Sequence, residues 1–287
     1  MGSPLVVGVD GFEPSLRAVD WAADEAARRE LPLRLVHAAP EDHRQDIERT
    51  DHLTRSPGTG RAEDILDAAA RRAHRRQAGV KVTTDVLPGE PGHALVRAGH
   101  DASALVLGTR GRNGLAELLL GSVSLAVAAR ADCPVIVLRG DRTRAGAHGR
   151  VLLGVGEHPA DSAAARFALR QAESRGVRLE AVRAWRCPAH ESTDHPLLVG
   201  EPARLHEQRA AETLEEALRD APARVRVHRR TAEGAAGHVL LAASHDADLL
   251  VVGARRGPGD SGPRLGGVVH AVLHHAACPV AVVPERA

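Results

Sequence analysis

The stretch Leu105–Leu138, LVLGTRGRNGLAELLLGSVSLAVAARADCPVIVL, decides the architecture. It opens on a short apolar run, Leu105–Gly108, and passes through a glycine-rich segment. It resumes with apolar residues at helical spacing over Val123–Ala129 and closes on a second apolar run, Val135–Leu138. Short continuous apolar runs predict strands buried on both faces, and a helix between two of them predicts a parallel crossover.

The same alternation extends toward the N-terminus. Leu5–Val9 predicts a first strand ending at Asp10-Gly11. Ser15–Glu30 follows as a helix, with Leu16, Val19, Ala22, Ala23 and Ala26 on one face and Pro14 at its start. Leu33–Ala38 predicts a second strand. Residues 40–60, rich in Asp, His, Pro and Gly, predict a surface loop. Arg61–Gln77 predicts a polar-faced helix, Val80–Leu87 a third strand and His93–Ala98 a short helix. Strands alternating with helices define a parallel sheet covered on both faces.

This unit is then repeated. Gly92-His93 recurs as Gly237-His238, His100-Asp101 as His245-Asp246, and Cys133-Pro134-Val135 as Cys278-Pro279-Val280, each 145 positions apart. Gly8 and Gly154, like Trp21 and Phe167, are 146 apart. A constant register through so many points marks a duplication. The expected domains are 1–140 and 150–287, joined by the polar linker 141–149, DRTRAGAHG. The expected fold class is α/β: two tandem open-twisted five-stranded parallel sheets, Rossmann-like.

Composition narrows the function. The formal net charge is +1, Lys81 is the lone lysine, and no long basic run or aromatic platform accompanies the arginines, which argues against nucleic acid. No apolar stretch approaches the ~20 residues that span a bilayer. Three cysteines, Cys133, Cys187 and Cys278, form neither a disulfide framework nor a zinc pattern. With no leader-like N-terminal segment, the expected location is the cytoplasm.

The chemistry concentrates in Gly108–Ser122, GTRGRNGLAELLLGS, between the end of the fourth strand and the start of a helix. Glycines let backbone approach a ligand closely, and free amides at a helix N-terminus form an anion site. Gly121 would present its N–H to a phosphate, with the hydroxyls of Ser122 and Ser124 beside it and charge from Arg110 and Arg112. Asp10 would face this site across the crevice if strands one and four are neighbours. The same glycines also suit plain turns, but that reading leaves their spacing unexplained.

Gly108-x2-Gly111-x9-Gly121-Ser122 resembles the ATP-binding signature G-x2-G-x9-G-[S/T] of the universal stress protein family. The flanks SVSLAVAARADCPVIVLR, VVGVDG and the helix around Ala18-Val19-Asp20-Trp21-Ala22 are similar to that family too, and the resemblance covers both halves. It implies an adenine nucleotide alpha hydrolase-like fold with pseudo-twofold related domains, paired through fifth strands at Val135–Leu138 and Val280–Val283. It also implies ATP, with Mg2+, held by Gly8, Val9 and Asp10 on the adenosine side and by Ala38 bounding the adenine. Gly108, Thr109, Arg110, Gly111, Arg112 and Gly114 would wrap ribose and phosphates, and Gly121, Ser122, Val123 and Ser124 would hold the phosphate tail. The implied function is a nucleotide-dependent regulator of stress or dormancy that acts on an unknown regulatory protein, or through a homodimer.

The second copy departs from the pattern. Its stretch GARRGPGDSGPRLGG keeps Gly253 and Gly266, but Arg256 replaces Gly111, Gly267 replaces Ser122, and Gly156 stands where Asp10 does. Weak or absent ATP binding is expected there, with Gly257 a partial substitute if the loop shifts. Three further features carry bland expectations. His270, His274 and His275 read as a solvated helix face before a metal site. The pairs Arg71-Arg72 and Arg75-Arg76 read as a solvated face, and His37 reads as a packing or hydrogen-bonding residue. Competing functions are a slow ATPase, for which no Walker lysine or general base is evident, and a ligand-free scaffold.

Overall fold

The computed structural model describes residues 2–39, 57–109, 120–139, 148–158, 162–187, 201–255 and 265–285, with backbone only at 57–60 and 201–202. Two compact units divide the chain, Met1–Thr143 and Arg144–Ala287.

The first unit runs β1 (Leu5–Gly8), α1 (Glu13–Arg29), β2 (Leu33–Ala39), α2 (Pro57–Arg76), β3 (Val82–Pro88), α3 (Pro91–Ala98), β4 (Ala104–Leu107), α4 (Ser122–Arg130) and β5 (Val135–Val137). Its strands lie in the order β3-β2-β1-β4-β5, and every pairing is parallel. The second unit runs β6 (Arg150–Gly154), α5 (Ala163–Arg175), β7 (Arg178–Trp185), α6 (Glu201–Ala217), β8 (Val227–Glu233), α7 (Ala236–Ser244), β9 (Leu249–Arg255), α8 (Gly267–His275) and β10 (Val280–Glu285). Its order is β8-β7-β6-β9-β10, again parallel throughout. These are the parallel α/β sheets that the apolar runs predicted.

The central strands are apolar because helices cover both faces. Leu5, Val6, Val7, Leu105 and Val106 are fully buried, as are Leu152, Leu249 and Leu250 in the second unit. With so few aromatic residues, Ala packing stands in: Ala18, Ala22, Ala23 and Ala26 of α1 have no exposed surface.

Several boundaries differ from expectation for local reasons. α3 starts at Pro91 instead of His93 because Pro suits the first helical turn, and the Glu90 side chain caps it by accepting from the His93 N–H. β3 starts at Val82, since Val80 is held in a turn by its N–H to the Gln77 carbonyl. α1 ends on Glu30 in the left-handed region (φ 53°), where α5 ends on Gly176 at φ 65°.

The arginines of α2 are not simply solvated. Arg72 holds both Asp20 and Glu13 of α1, and Arg76 holds Asp24. These pairs fasten α2 to α1; Arg72 is half-buried, while Arg71, Arg75 and Arg76 are exposed. The Arg72 guanidinium holds the Glu13 carboxyl below its ordinary value.

Candidate functional site

In the first unit the strand order reverses between β1 and β4, because β1 has neighbours on both sides while its sequence neighbour β2 lies to one. Loops leaving two such strands diverge to opposite faces and open a crevice at their carboxyl ends. A cavity of about 340 Å³ occupies that crevice. This lies toward the small end of the ~300–1,000 Å³ usual for small-molecule sites.

One end of the cavity is an apolar slot walled by Val36, Leu95 and Leu107, with Ala38 at its edge. The other end meets the start of α4, where Gly121, Ser122, Val123 and Ser124 line the wall. Gly121 is the N-cap and supplies no side-chain bond, so the first amides of α4 have no side-chain cap. Gly8, Val9, Asp10, Gly108 and Thr109 complete the lining among the residues expected from sequence. Arg110, Gly111, Arg112 and Gly114 lie outside the described residues, as do Arg256 and Gly257 of the second copy.

Three residues do other work than their sequence position suggested. Gly108 is not simply open to a ligand: a Cβ there would lie 2.5 Å from the Pro14 carbonyl oxygen and 2.8 Å from the Ser15 nitrogen. The backbone of α1 therefore rides against the end of β4, and glycine is required by that packing. Ser124 is buried, and its hydroxyl donates to the Gly108 carbonyl at 2.9 Å, tying α4 to β4. Its proton is thus committed within the protein. His37 Nδ1 lies 2.7 Å from the Val9 carbonyl oxygen. A carbonyl only accepts, so Nδ1 carries the proton and the ring is a strut between β2 and the loop after β1.

Asp10 sits at the head of that loop. Its Oδ1 accepts from the Phe12 N–H at 3.0 Å, and its own N–H donates to Ser15 Oγ at 3.2 Å. Local sequence reading missed Phe12, Ser15, Pro91 and Leu95, all of which line the cavity. Phe12 is 38% exposed, an unusual state for a Phe, and forms part of the rim. Only the Pro91 helix start carried a local signal.

An apolar slot joined to an anion-favouring helix end suits a molecule with a flat apolar head and an anionic tail. Among the described lining residues Asp10 is the one carboxylate, and no group of three or more His, Cys, Asp or Glu among the described residues forms a metal site. A divalent cation would therefore arrive with ligand phosphates, as Mg2+ commonly does. His270 and His274 stack with ring centroids 4.3 Å apart. Burial pushes the Cys133 thiol up to about 11.

In the second unit the counterparts of the motif glycines behave differently. A Cβ on Gly253 would meet the Glu285 side chain, with Cγ and Oε1 both at 2.9 Å. The Glu285 carboxylate accepts from Ser162 Oγ and from the Ala163 and Ala164 amides at 2.8–3.0 Å, capping α5. Gly266 caps α8 without a side chain, and a Cβ there would meet nothing within 4 Å. Arg183 occupies the place of His37 and donates to the Val155 carbonyl, the equivalent of Val9.

Two parallel α/β units, one with an amphiphilic crevice at its topological switch point, define a tandem α/β protein with a candidate small-molecule site. The universal stress protein family matches residues 1–139 and 148–284, and the chain belongs to it. A universal stress protein of Mycobacterium tuberculosis is 33% identical over 301 residues, covering 98% of this chain and 97% of that protein. The crystal structure of a universal stress protein from Archaeoglobus fulgidus matches with a TM-score of 0.75 at 19% identity, covering 100% of both chains, which shows a shared fold. A universal stress protein solved in complex with cAMP is 31% identical over 48% of this chain and 97% of that chain, with a TM-score of 0.37. No described helix is long and apolar enough to cross a membrane.

Proposed function

We propose that this chain is a cytoplasmic ATP-binding regulatory protein of the stress response whose first unit holds the nucleotide. The observation that carries this reading is one cavity joining an apolar slot to an uncapped helix N-terminus at the switch in strand order. Adenine enters the slot of Val36, Leu95 and Leu107, with Ala38 at its edge. Asp10 faces the ribose. The amides of α4 and the Ser122 hydroxyl meet the phosphates, to which Arg110 and Arg112 add charge and with which Mg2+ travels.

The protein acts by being occupied or empty, not by turnover. Among the described residues, no hydrogen-bonded Ser–His or Cys–His pair lines the cavity, and the His37 Nδ1 proton is held by the Val9 carbonyl. Hydrolysis is expected at the rate of buffer. A regulatory protein or a second copy of the chain reads the bound state.

The test is purification without added nucleotide, denaturation, and identification of released small molecules by chromatography and mass. ATP is expected at about one per chain and is lost in Gly121→Asp, whose carboxylate would stand among the phosphates. No release, together with no binding at millimolar Mg-ATP, refutes the reading.

A further inference from the structure

The second unit has a cleft of its own, of about 700 Å³, with different walls. Among the described residues it is bounded by the end of β7, one face of α6, and the starts of α7 and α8. Val182, Leu240 and Val252, the counterparts of the apolar slot, do not line it. Its cations are Arg183 and Arg186 from β7 and the segment after it and Arg209 from α6, with the histidines His206 and His238 also in the lining. Glu157 is the one carboxylate among the described lining residues.

Two substitutions between the copies contribute to this difference. Arg183 replaces His37 and keeps its bond to the backbone carbonyl, at 3.2 Å, while adding a permanent charge. Ala235 replaces Glu90, so α7 begins without the carboxylate that caps α3. The permanent cations of the cleft thus lie at the end of β7 and on α6. Neither Arg186 nor Arg209 pairs with a carboxylate among the described residues, and both are exposed.

We infer that the second unit's cleft is a separate site for a compact multivalent phosphoanion that needs no adenine. Guanidinium forks bind phosphate oxygens in pairs, and the amide ends of α7 and α8 add donors of the same sign. Trp185 offers an apolar wall at the same cleft, without the Val, Leu and Leu lining of the first unit's slot. This site goes beyond the nucleotide reading and stands or falls apart from it.

The test is calorimetric titration of the full chain with sodium tripolyphosphate at low salt. A binding event is expected that weakens as salt rises, survives Gly121→Asp, and is not displaced by adenosine. Arg186→Glu with Arg209→Glu should weaken it about 100-fold, each charged contact counting for roughly tenfold. Arg209→Gln alone should weaken it about tenfold and keeps the test sound if the double reversal perturbs folding. Three results overturn the inference: no heat at millimolar tripolyphosphate, an unchanged affinity in the arginine variants, or loss of binding in Gly121→Asp alone.

Discussion

Gly108→Ala separates an architectural glycine from a ligand-facing one. The added Cβ would sit 2.5 Å from the Pro14 carbonyl oxygen, 2.6 Å from its carbon and 2.8 Å from the Ser15 nitrogen. All three are backbone atoms at the start of α1, so no side chain can swing away; α1 or β4 must shift. Overpacking a tight interior commonly costs ~1–3 kcal/mol, and a backbone obstacle puts this case at the upper end, about 3 kcal/mol. The shift would also pull Ser124 from the Gly108 carbonyl and open the cavity. With a urea m-value of ~2 kcal/mol/M, the first unit's midpoint should fall by about 1.5 M. The chain offers a clean assay: its two tryptophans are Trp21 in the first unit and Trp185 in the second. Trp185→Phe leaves fluorescence reporting the first unit, and Trp21→Phe leaves it reporting the second. Gly121→Ala is the control, since Gly121 has φ −68° and ψ 147°, which alanine adopts without strain. A fall of less than about 0.3 M for Gly108→Ala would refute the packing argument.

Four further outcomes are expected. Glu285→Ala removes a carboxylate that three donors share at the start of α5, and should cost the second unit ~1–2 kcal/mol by the Trp185 signal. Glu30→Gly relieves a left-handed residue at the end of α1, and should stabilise the first unit by ~1 kcal/mol in the same urea assay. Burial holds Cys133 protonated up to about 11, so it should resist alkylation at pH 8 while the partly exposed Cys187 reacts. The first unit's stability should then decline as pH rises from the ordinary thiol range toward 11, because the unfolded thiol ionises first. Arg72→Ala frees Glu13, whose folded value lies below 4.5. The stability from that pairing is complete above 4.5 and disappears as pH falls through the lower folded value, so the variant's acid unfolding should begin from a stability already ~1 kcal/mol lower and fall less steeply.

The fold was legible because its signals are local and repeated. Apolar runs such as Leu5–Val9 and Leu105–Gly108 need no partner to be recognised, and the fixed register between the copies marked the duplication even where element ends moved by a residue or two. The residues Gly8, Val9, Asp10, Ala38, Gly108, Thr109 and Gly121 through Ser124 do converge on one cavity. What they do there was less legible. Gly108 looked like a ligand-facing glycine, yet its constraint comes from Pro14, which is remote in sequence. Ser124 looked like a phosphate donor, but the carbonyl it serves is 16 residues away. Leu95 and Phe12 enter the wall through helix placement, which no local pattern encodes. Arg72 and Arg76 looked solvated because their carboxylates lie 52 residues earlier, on α1.

The comparison of the two copies supplies the last step. One sheet topology recurs, so differences between the crevices come from single side chains and not from rearranged strands. At the strut position, His37 and Arg183 do the same mechanical work on Val9 and Val155. Either side chain would serve the fold, so stability alone does not select between a neutral donor and a fixed cation. The same holds for Glu90 and Ala235, since α3 and α7 form with or without the cap. Both exchanges move the second cleft toward positive charge. A duplicate that had merely decayed would scatter its changes in sign and place. Here both exchanges fall at one crevice and act in one direction, as a change of ligand requires. Reverting the strut with Arg183→His should therefore leave the second unit's stability to urea within about 0.5 kcal/mol while weakening tripolyphosphate binding roughly tenfold. An unchanged affinity would mean that the arginine serves the fold alone.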